Sequence, residues 1–350
     1  MRCWTRSRAN SAATSFPVVS ERAASGEDSL IARYFKPLAT DAGAFGLDDD
    51  AAALQVRSGE EIVVTTDAIV EGVHFLKDDP PDTVARKALR VNLSDLAAKG
   101  AATAGFVMTL ALRGVDDSWL AAFARALGED ARAFGCPLLG GDTVSTPGPL
   151  TVSITAFGRV PAGKMVHRSG ARPGDRVLVT GTIGDAALGL EILKGGRIGH
   201  AFVDDHPGRD ALVARYRVPE PRNALALVVR DYASAAIDIS DGLAGDLTKL
   251  CAASGVSALI DLPSVPTSAP AAKLLSQGAT TIETLASGGD DYEILCTVAE
   301  ARSEALAAAA QRAGVALTSI GTVIAGFQAP RFLDGEGSEI VLKRLSYSHF

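Results

Sequence analysis

The side chains able to do chemistry in this chain are mostly aspartates, and each falls beside an apolar run or a glycine pair. Asp48-Asp49-Asp50 follows Phe45-Gly46-Leu47, Asp67 closes the run Val63-Val64-Thr65-Thr66, and Asp95 lies in NLSDLAAKGA. Asp142 follows Gly140-Gly141, Asp238 and Asp241 bracket Ile239-Ser240, and Asp290-Asp291 follow Ser287-Gly288-Gly289. An acid in such company needs a partner. A short carboxylate at a strand end is the usual ligand of a hard cation such as Mg²⁺, which takes oxygen donors. Neighbouring glycines let the backbone approach phosphate oxygens closely. Any one Gly-Gly-Asp or Ser-Asp-Gly is ordinarily a turn or a helix cap; six such sites in one chain ask for more. Like charges about 4 Å apart repel by roughly 4 kcal/mol per pair at an effective dielectric near 20. The aspartates therefore either meet around metal or do not meet, and the residues alone leave both outcomes open.

Other catalytic signatures are missing. The chain has no GxxxxGK[ST] loop, no protein-kinase HRD or DFG, no Gly-x-Ser-x-Gly elbow and no HExxH. Gly181-Thr182-Ile183-Gly184-Asp185 is too short for a dinucleotide fingerprint and reads as a strand-to-helix turn. The five histidines are dispersed, and Cys3, Cys136, Cys251 and Cys296 form no CxxC pair, which fits neither a disulfide scaffold nor a zinc site.

The elements that must position these residues alternate between strand and helix. A length of 350 residues suggests about two domains, and 47% apolar with 21% charged residues is the composition of a folded chain. A net charge of −7 disfavours nucleic acid as a partner, and no apolar run is long enough to span a membrane. A cytoplasmic, reducing location is expected. The first twenty residues carry Arg2, Arg6 and Arg8 among six Ser/Thr hydroxyls and no acid. They read as a disordered tail covering 1–26, with a transit-like segment as the other reading.

Beyond the tail, Ser29 to Lys36 has helical spacing ended by Pro37, and Glu61 to Thr66 is β-rich and ends at Asp67. Thr83 to Lys99 and Ser118 to Phe134 have the apolar stripes of amphipathic helices, each followed by glycine, and Leu150 to Val160 alternates like a strand. The Gly/Pro/basic stretch Pro161 to Asp175 then separates two halves. Arg176 to Thr180, Ala236 to Ile239, Ser257 to Asp261 and Glu293 to Val298 are further strands. The expectation is an α/β (α+β) fold with an N-terminal domain at 27–162 and a C-terminal α/β domain at 163–350. A faint echo between VNLSDL (91–96) and IDISDG (237–242) repeats a Ser-Asp pair.

Taken in order, LDDDAAAL, TTDAIVEGVHF, KALRVNLSDLAAKGA, LLGGDTV, RSGARPGD, VTGTIGDAALGL, AIDISDGLAGDL and SGGDDYEI resemble the thiamine-monophosphate kinase family. That family lies within the superfamily of aminoimidazole-ribonucleotide synthetase and selenophosphate synthetase. The resemblance runs from about Glu27 to the C-terminal YSHF. It implies a two-domain aminoimidazole-ribonucleotide-synthetase-like fold whose N-terminal sheet pairs with its copy in a homodimer. It also implies Mg²⁺-dependent, direct transfer of the ATP γ-phosphoryl to thiamine monophosphate, giving thiamine diphosphate and ADP.

By position, the resemblance makes Asp50, Thr65, Thr66, Asp67, Asp95, Asp142, Asp238 and Asp241 metal ligands. Gly141, Asp142, Arg168 and Ser240 become ATP contacts, and His74, Asp290 and Tyr347 contacts of thiamine monophosphate. No residue is required as a base. Two positions depart from the family pattern. Asp48 stands where a glycine belongs, and Asp290 stands where the family has a glutamate, drawing the carboxylate back by one methylene. The competing readings are a sister ATP-dependent synthetase and a non-catalytic, cation-stabilised nucleotide-binding module. A selenophosphate synthetase would carry its reactive thiol in a glycine-rich loop, whereas the only early thiol here is Cys3.

Overall fold

The computed structural model describes residues 26–114 and 116–346. The expected tail at 1–25 and the YSHF terminus with Tyr347 lie outside the described residues.

The first half is built on a four-stranded sheet with two long helices on one face. In chain order its elements are α1 (Gly26–Leu30), β1 (Glu60–Val70), α2 (Pro81–Ala98), β2 (Ala102–Leu112), α3 (Asp117–Ala133), β3 (Leu138–Ser145) and β4 (Thr151–Pro161). The strand order is β1-β4-β2-β3, with only β2 and β3 parallel. Helix α2 begins at Pro81, where a missing N–H costs nothing. Asp116 caps α3 by accepting the amides of Ser118 and Trp119.

The pairing register puts Asp67, Ile154, Met108 and Gly141 in one row across the sheet. Ile154 and Met108 of that row are buried against the helices. Side chains alternate along a strand, so the adjoining row Ala68, Ser153, Thr109 and Asp142 faces the other way. Among the described residues neither long helix packs on that second face, and Val64 (57% exposed) and Val144 (41%) lie open on it.

The second half adds β5 (Asp175–Thr180), α4 (Asp185–Leu193), α5 (His206–Arg217), α6 (Ala226–Tyr232), β6 (Ala235–Ile239), α7 (Leu243–Ser254), β7 (Ser257–Asp261), α8 (Ala269–Ser276), α9 (Ile282–Ser287), β8 (Glu293–Ala299), α10 (Ser303–Arg312), β9 (Leu317–Ile324), β10 (Arg331–Leu333) and β11 (Glu339–Ile340). Its seven-stranded sheet runs β11-β10-β7-β9-β5-β8-β6. Helix α2 packs on β1 and β4 and also reaches β6 and β8, which is why its residues are buried almost all the way round. The connecting segment is stitched down as well: Val166 donates its amide to the Lys99 carbonyl (3.1 Å) and Ala236 donates to the His167 carbonyl (3.0 Å).

Three local expectations are corrected. Strand β1 does not end at Asp67 but continues to Val70, held by its register with β4, so Asp67 is mid-strand. Gly140-Gly141-Asp142 is not a glycine turn: it lies inside β3, where a Cβ on Gly141 would sit 2.0 Å from the Met108 carbonyl oxygen. The helix expected from Ser29 to Lys36 is broken into α1, a wide π-type turn at Ile31–Phe35 and a 3-10 turn at Lys36–Leu38, because Pro37 cannot supply the next amide.

Candidate active site

Between the two halves lies a cavity of about 440 Å³, lined by Asp67, Asp95, Asp238, Asp241 and Asp290 together with His74, Arg168 and Ser240. Each acid comes from a different place. Asp67 is on the covered face of β1 and Asp95 is in α2, Asp238 is in β6, and Asp241 follows in the turn before α7. Thr65, two residues before Asp67 on the same strand face, donates its hydroxyl to Asp95 Oδ2 at 2.5 Å. The Asp67 amide donates to Asn92 Oδ1 (3.1 Å), which ties β1 to α2.

The turn carrying Ser240 and Asp241 is fixed by Asp246, whose Oδ2 accepts both of their amides at 3.1 and 2.9 Å. Lys249 bridges Asp241 (2.5 Å) and the buried Asp246 (2.8 Å). Behind the acids sits Lys99, which donates to the Ala236 carbonyl at 2.7 Å. Burial, and then the charge of Arg168, lower its pKa to about 8.

The acids repel one another as the sequence argument requires. Burial, then the charges of Asp95 and Asp241, raise the Asp67 carboxyl to about 6. Asp238 is buried and pushed well above the usual carboxylate range by desolvation first, then by Asp95, Asp246 and Asp67. The consequence for stability has a definite sign. The Asp67 pKa in the folded chain lies above its unfolded value, so folding takes up protons between about pH 4 and 6. Its contribution to stability is complete below that window and is lost as the pH rises through about 6. The cation-free protein is therefore expected to lose thermal stability from this group between about pH 4 and 6, and saturating Mg²⁺ to flatten that fall. Calorimetric scans with and without the metal test this; parallel profiles would contradict it.

Among the described residues no group of three His, Cys, Asp or Glu side chains is already assembled to hold a metal ion. The donor set nonetheless fits one. It offers oxygens only, the choice of a hard cation, and two of its carboxyls carry a desolvation that a cation would relieve.

The remaining candidates fall in other places. Asp50, Gly141 and Asp142 line a second depression of about 250 Å³ together with Asp49 and Met108. Strands β1 and β3 are the two edges of their sheet, so three strand spacings, about 14 Å, separate the Asp67 and Asp142 strands. Asp142 also belongs to the uncovered face whereas Asp67 belongs to the covered one. Within one chain the candidate ligands thus form two groups. Thr66 points to the uncovered face as well, where its hydroxyl donates to the Ile154 carbonyl (3.2 Å) and accepts from Thr155 (3.0 Å). Asp48, in the place of a glycine, has φ −103 and pairs with Lys36, so the position makes no demand for glycine.

The loop before β8 is the most constrained part of the cavity. Asp290 (φ 70) and Tyr292 (φ 51) both adopt left-handed backbone conformations, which side-chain-bearing residues keep only when their surroundings impose them. The surroundings are plain. The Asp290 and Tyr292 amides donate to the carbonyls of Ser240 and Ile239, each at 2.8 Å. Asp291, fully buried, takes the Gly184 amide on both oxygens at 3.0 and 2.8 Å, and this is what the turn after β5 does. Glu293, also fully buried, is gripped by Arg222 (2.6 and 2.5 Å), Arg215 (2.8 Å) and the Thr180 hydroxyl (2.6 Å).

Sequence reasoning missed Lys87, Asp246, Lys249, Lys99 and Arg344, the last of which also lines the cavity. Lys87 did carry a signal: it is a lysine on a helix whose neighbours Ala88 and Val84 mark the buried side. The thiols of Cys136 and Cys296 are pushed up by burial to about 12, and that of Cys251 to about 11. They stay protonated at neutral pH.

The fold and site together define a class. The family described as AIR synthase related protein, N-terminal domain, matches residues 48–160, and the C-terminal domain of the same family matches 172–329. The thiamine-monophosphate kinase of Caulobacter vibrioides is 44% identical over 324 residues, covering 91% of this chain and 89% of that protein. A crystal structure of thiamine-monophosphate kinase from Stenotrophomonas maltophilia superposes with a TM-score of 0.78 at 37% identity, covering 89% of this chain and 96% of that one. The structure described as AaThiL complexed with AMPPCP and TMP gives 0.73 at 29% identity, covering 88% and 97%. The chain belongs to the thiamine-monophosphate kinase family. The two-domain α/β architecture expected from the sequence, and the resemblance itself, are borne out.

Proposed function

We propose that this chain transfers the γ-phosphoryl group of ATP to the phosphate of thiamine monophosphate, with Mg²⁺ and without a covalent intermediate. The observation that carries the reading is the convergence of Asp67, Asp95, Asp238 and Asp241 on one cavity beside Arg168. Both reacting groups are anionic phosphates, so the reaction needs positioning and charge neutralisation rather than a base: the acceptor oxygen is already deprotonated at neutral pH. A bound divalent cation supplies that neutralisation. The four carboxylates and the Thr65 hydroxyl are the groups of this chain that would hold it in the main cavity, and Asp50 and Asp142 those in the second depression.

The protein's own groups do the rest. Arg168 offers a fork of N–H donors to phosphate oxygens, while the Ser240 hydroxyl and the backbone at Gly141 lie beside the two acid groups. His74 and Asp290 bound the side of the cavity assigned to thiamine monophosphate. The loop around Asp290 is pinned at Ser240, Ile239 and Gly184, so the acceptor subsite is rigid before substrate arrives. The uncovered face of the first sheet, with Val64, Val144 and Asp142, suits pairing with a second copy. Such a homodimer would bring the outer acids under a partner's sheet. Free, buried thiols fit a cytoplasmic setting, and no helix among the described residues is long and apolar enough to cross a membrane.

The test is product analysis after incubation with ATP, Mg²⁺ and thiamine monophosphate. Thiamine diphosphate and ADP in equal amounts are expected. ADP with free phosphate and no thiamine diphosphate would favour the synthetase reading, and nucleotide binding without turnover the non-catalytic one.

A further inference from the structure

Lys87 is the most deeply buried lysine of the described residues, 1% exposed in the middle of α2. An ammonium ion taken out of water is costly unless it is paired, and this one has two partners from the other half of the chain. Its Nζ lies 3.0 Å from Asp290 Oδ2 and 3.9 Å from the centre of the Tyr216 ring, a cation–π contact. Tyr216, on α5, donates its hydroxyl to the His74 carbonyl at 3.2 Å. One ammonium thus touches Asp290 directly and His74 through one intermediary. These are the two acceptor contacts assigned above.

We propose that Lys87 is a positioning residue of the acceptor subsite, setting Asp290 and His74 in one fixed arrangement relative to α2. The inference rests on the phosphoryl-transfer reading and deepens it. Asp290 needs such a partner. Its backbone is left-handed, so the direction of its carboxylate is imposed by its surroundings. Lys87 takes one oxygen and the Tyr292 hydroxyl donates to the other at 3.3 Å. His74 is fixed at both ends, because its Nδ1 accepts the Val70 amide at 3.1 Å, which leaves Nε2–H as the donor of the neutral ring. Since α2 also carries Asp95, Lys87 ties the acceptor contacts to the helix that holds a candidate metal ligand.

Steady-state kinetics of Lys87→Met, Asp290→Asn and the double variant test this. Lys87→Met keeps the apolar stem and removes the charge. It is expected to raise KM for thiamine monophosphate about tenfold or more while kcat and KM for ATP stay within about twofold. The double variant should lose clearly less than the sum of the two single losses, since much of what Lys87 does passes through that carboxylate, and Lys87→Arg should recover part of the loss. An equal rise in both KM values, additive effects in the double variant, or an unchanged acceptor KM would overturn the proposal. Should Lys87→Met fail to fold, Tyr216→Phe, which keeps the ring and loses the bond to His74, must raise the acceptor KM alone; no change there also overturns it. Wild-type protein that makes no thiamine diphosphate would instead remove the phosphoryl-transfer reading, and this inference with it.

Discussion

Asp238→Asn should cost activity and gain stability at the same time. Asp238 is buried in β6 and its charge is disfavoured by desolvation and by three neighbouring acids. Because its folded pKa lies above the unfolded one, the ionised carboxylate works against folding at pH 7. Asparagine has the same shape without the charge. The cation-free variant should therefore melt higher than wild type, by about 1–2 °C for each kcal/mol of charge repulsion relieved in a chain of this size. Turnover should fall by about two to four orders of magnitude, since a bound cation supplies several kcal/mol of charge stabilisation to the reaction. A purely structural acid would give loss of both stability and activity. A variant that keeps near wild-type turnover would remove Asp238 from the site.

Glu293→Gln should have the largest effect on stability. Both Glu293 oxygens are occupied by Arg215, Arg222 and Thr180, and the side chain is inaccessible to solvent. Replacing the carboxylate leaves two largely buried guanidinium groups facing a neutral amide, and breaking one member of such a buried cluster typically costs about 3–5 kcal/mol. Urea denaturation followed by circular dichroism measures it. Because Glu293 directly follows Asp290-Asp291-Tyr292, the folded fraction should also bind thiamine monophosphate more weakly. A loss below about 1 kcal/mol would show that the arginines find other partners.

Much of this was legible in the letters, because helix and strand periodicity are local properties. The stripes that predict α2 and α3 correspond to Pro81–Ala98 and Asp117–Ala133, and the alternation at Leu150 to Val160 became β4. What the letters concealed was non-local. Nothing near Asp67 says that β1 runs on to Val70, since that depends on its register with β4. Nothing near Gly141 says that the glycine pair sits inside a strand, because the reason is the Met108 carbonyl on β2. The letters left open whether the candidate ligands meet, and sheet order separates Asp142 from Asp67 by the full width of the first sheet. Lys87 escaped notice for the same reason: its partner Asp290 is 203 residues away.

The decisive measurement is metal binding by the carboxylates of the main cavity. Electron paramagnetic resonance can count Mn²⁺ held by the protein in the presence of a non-hydrolysable ATP analogue, with Mg²⁺ as competitor. Saturable binding that Mg²⁺ displaces is expected for the wild-type chain, together with its loss in the Asp67→Asn, Asp238→Asn double variant. Undiminished Mn²⁺ binding by a folded double variant would contradict the assignment of these aspartates to a cation site.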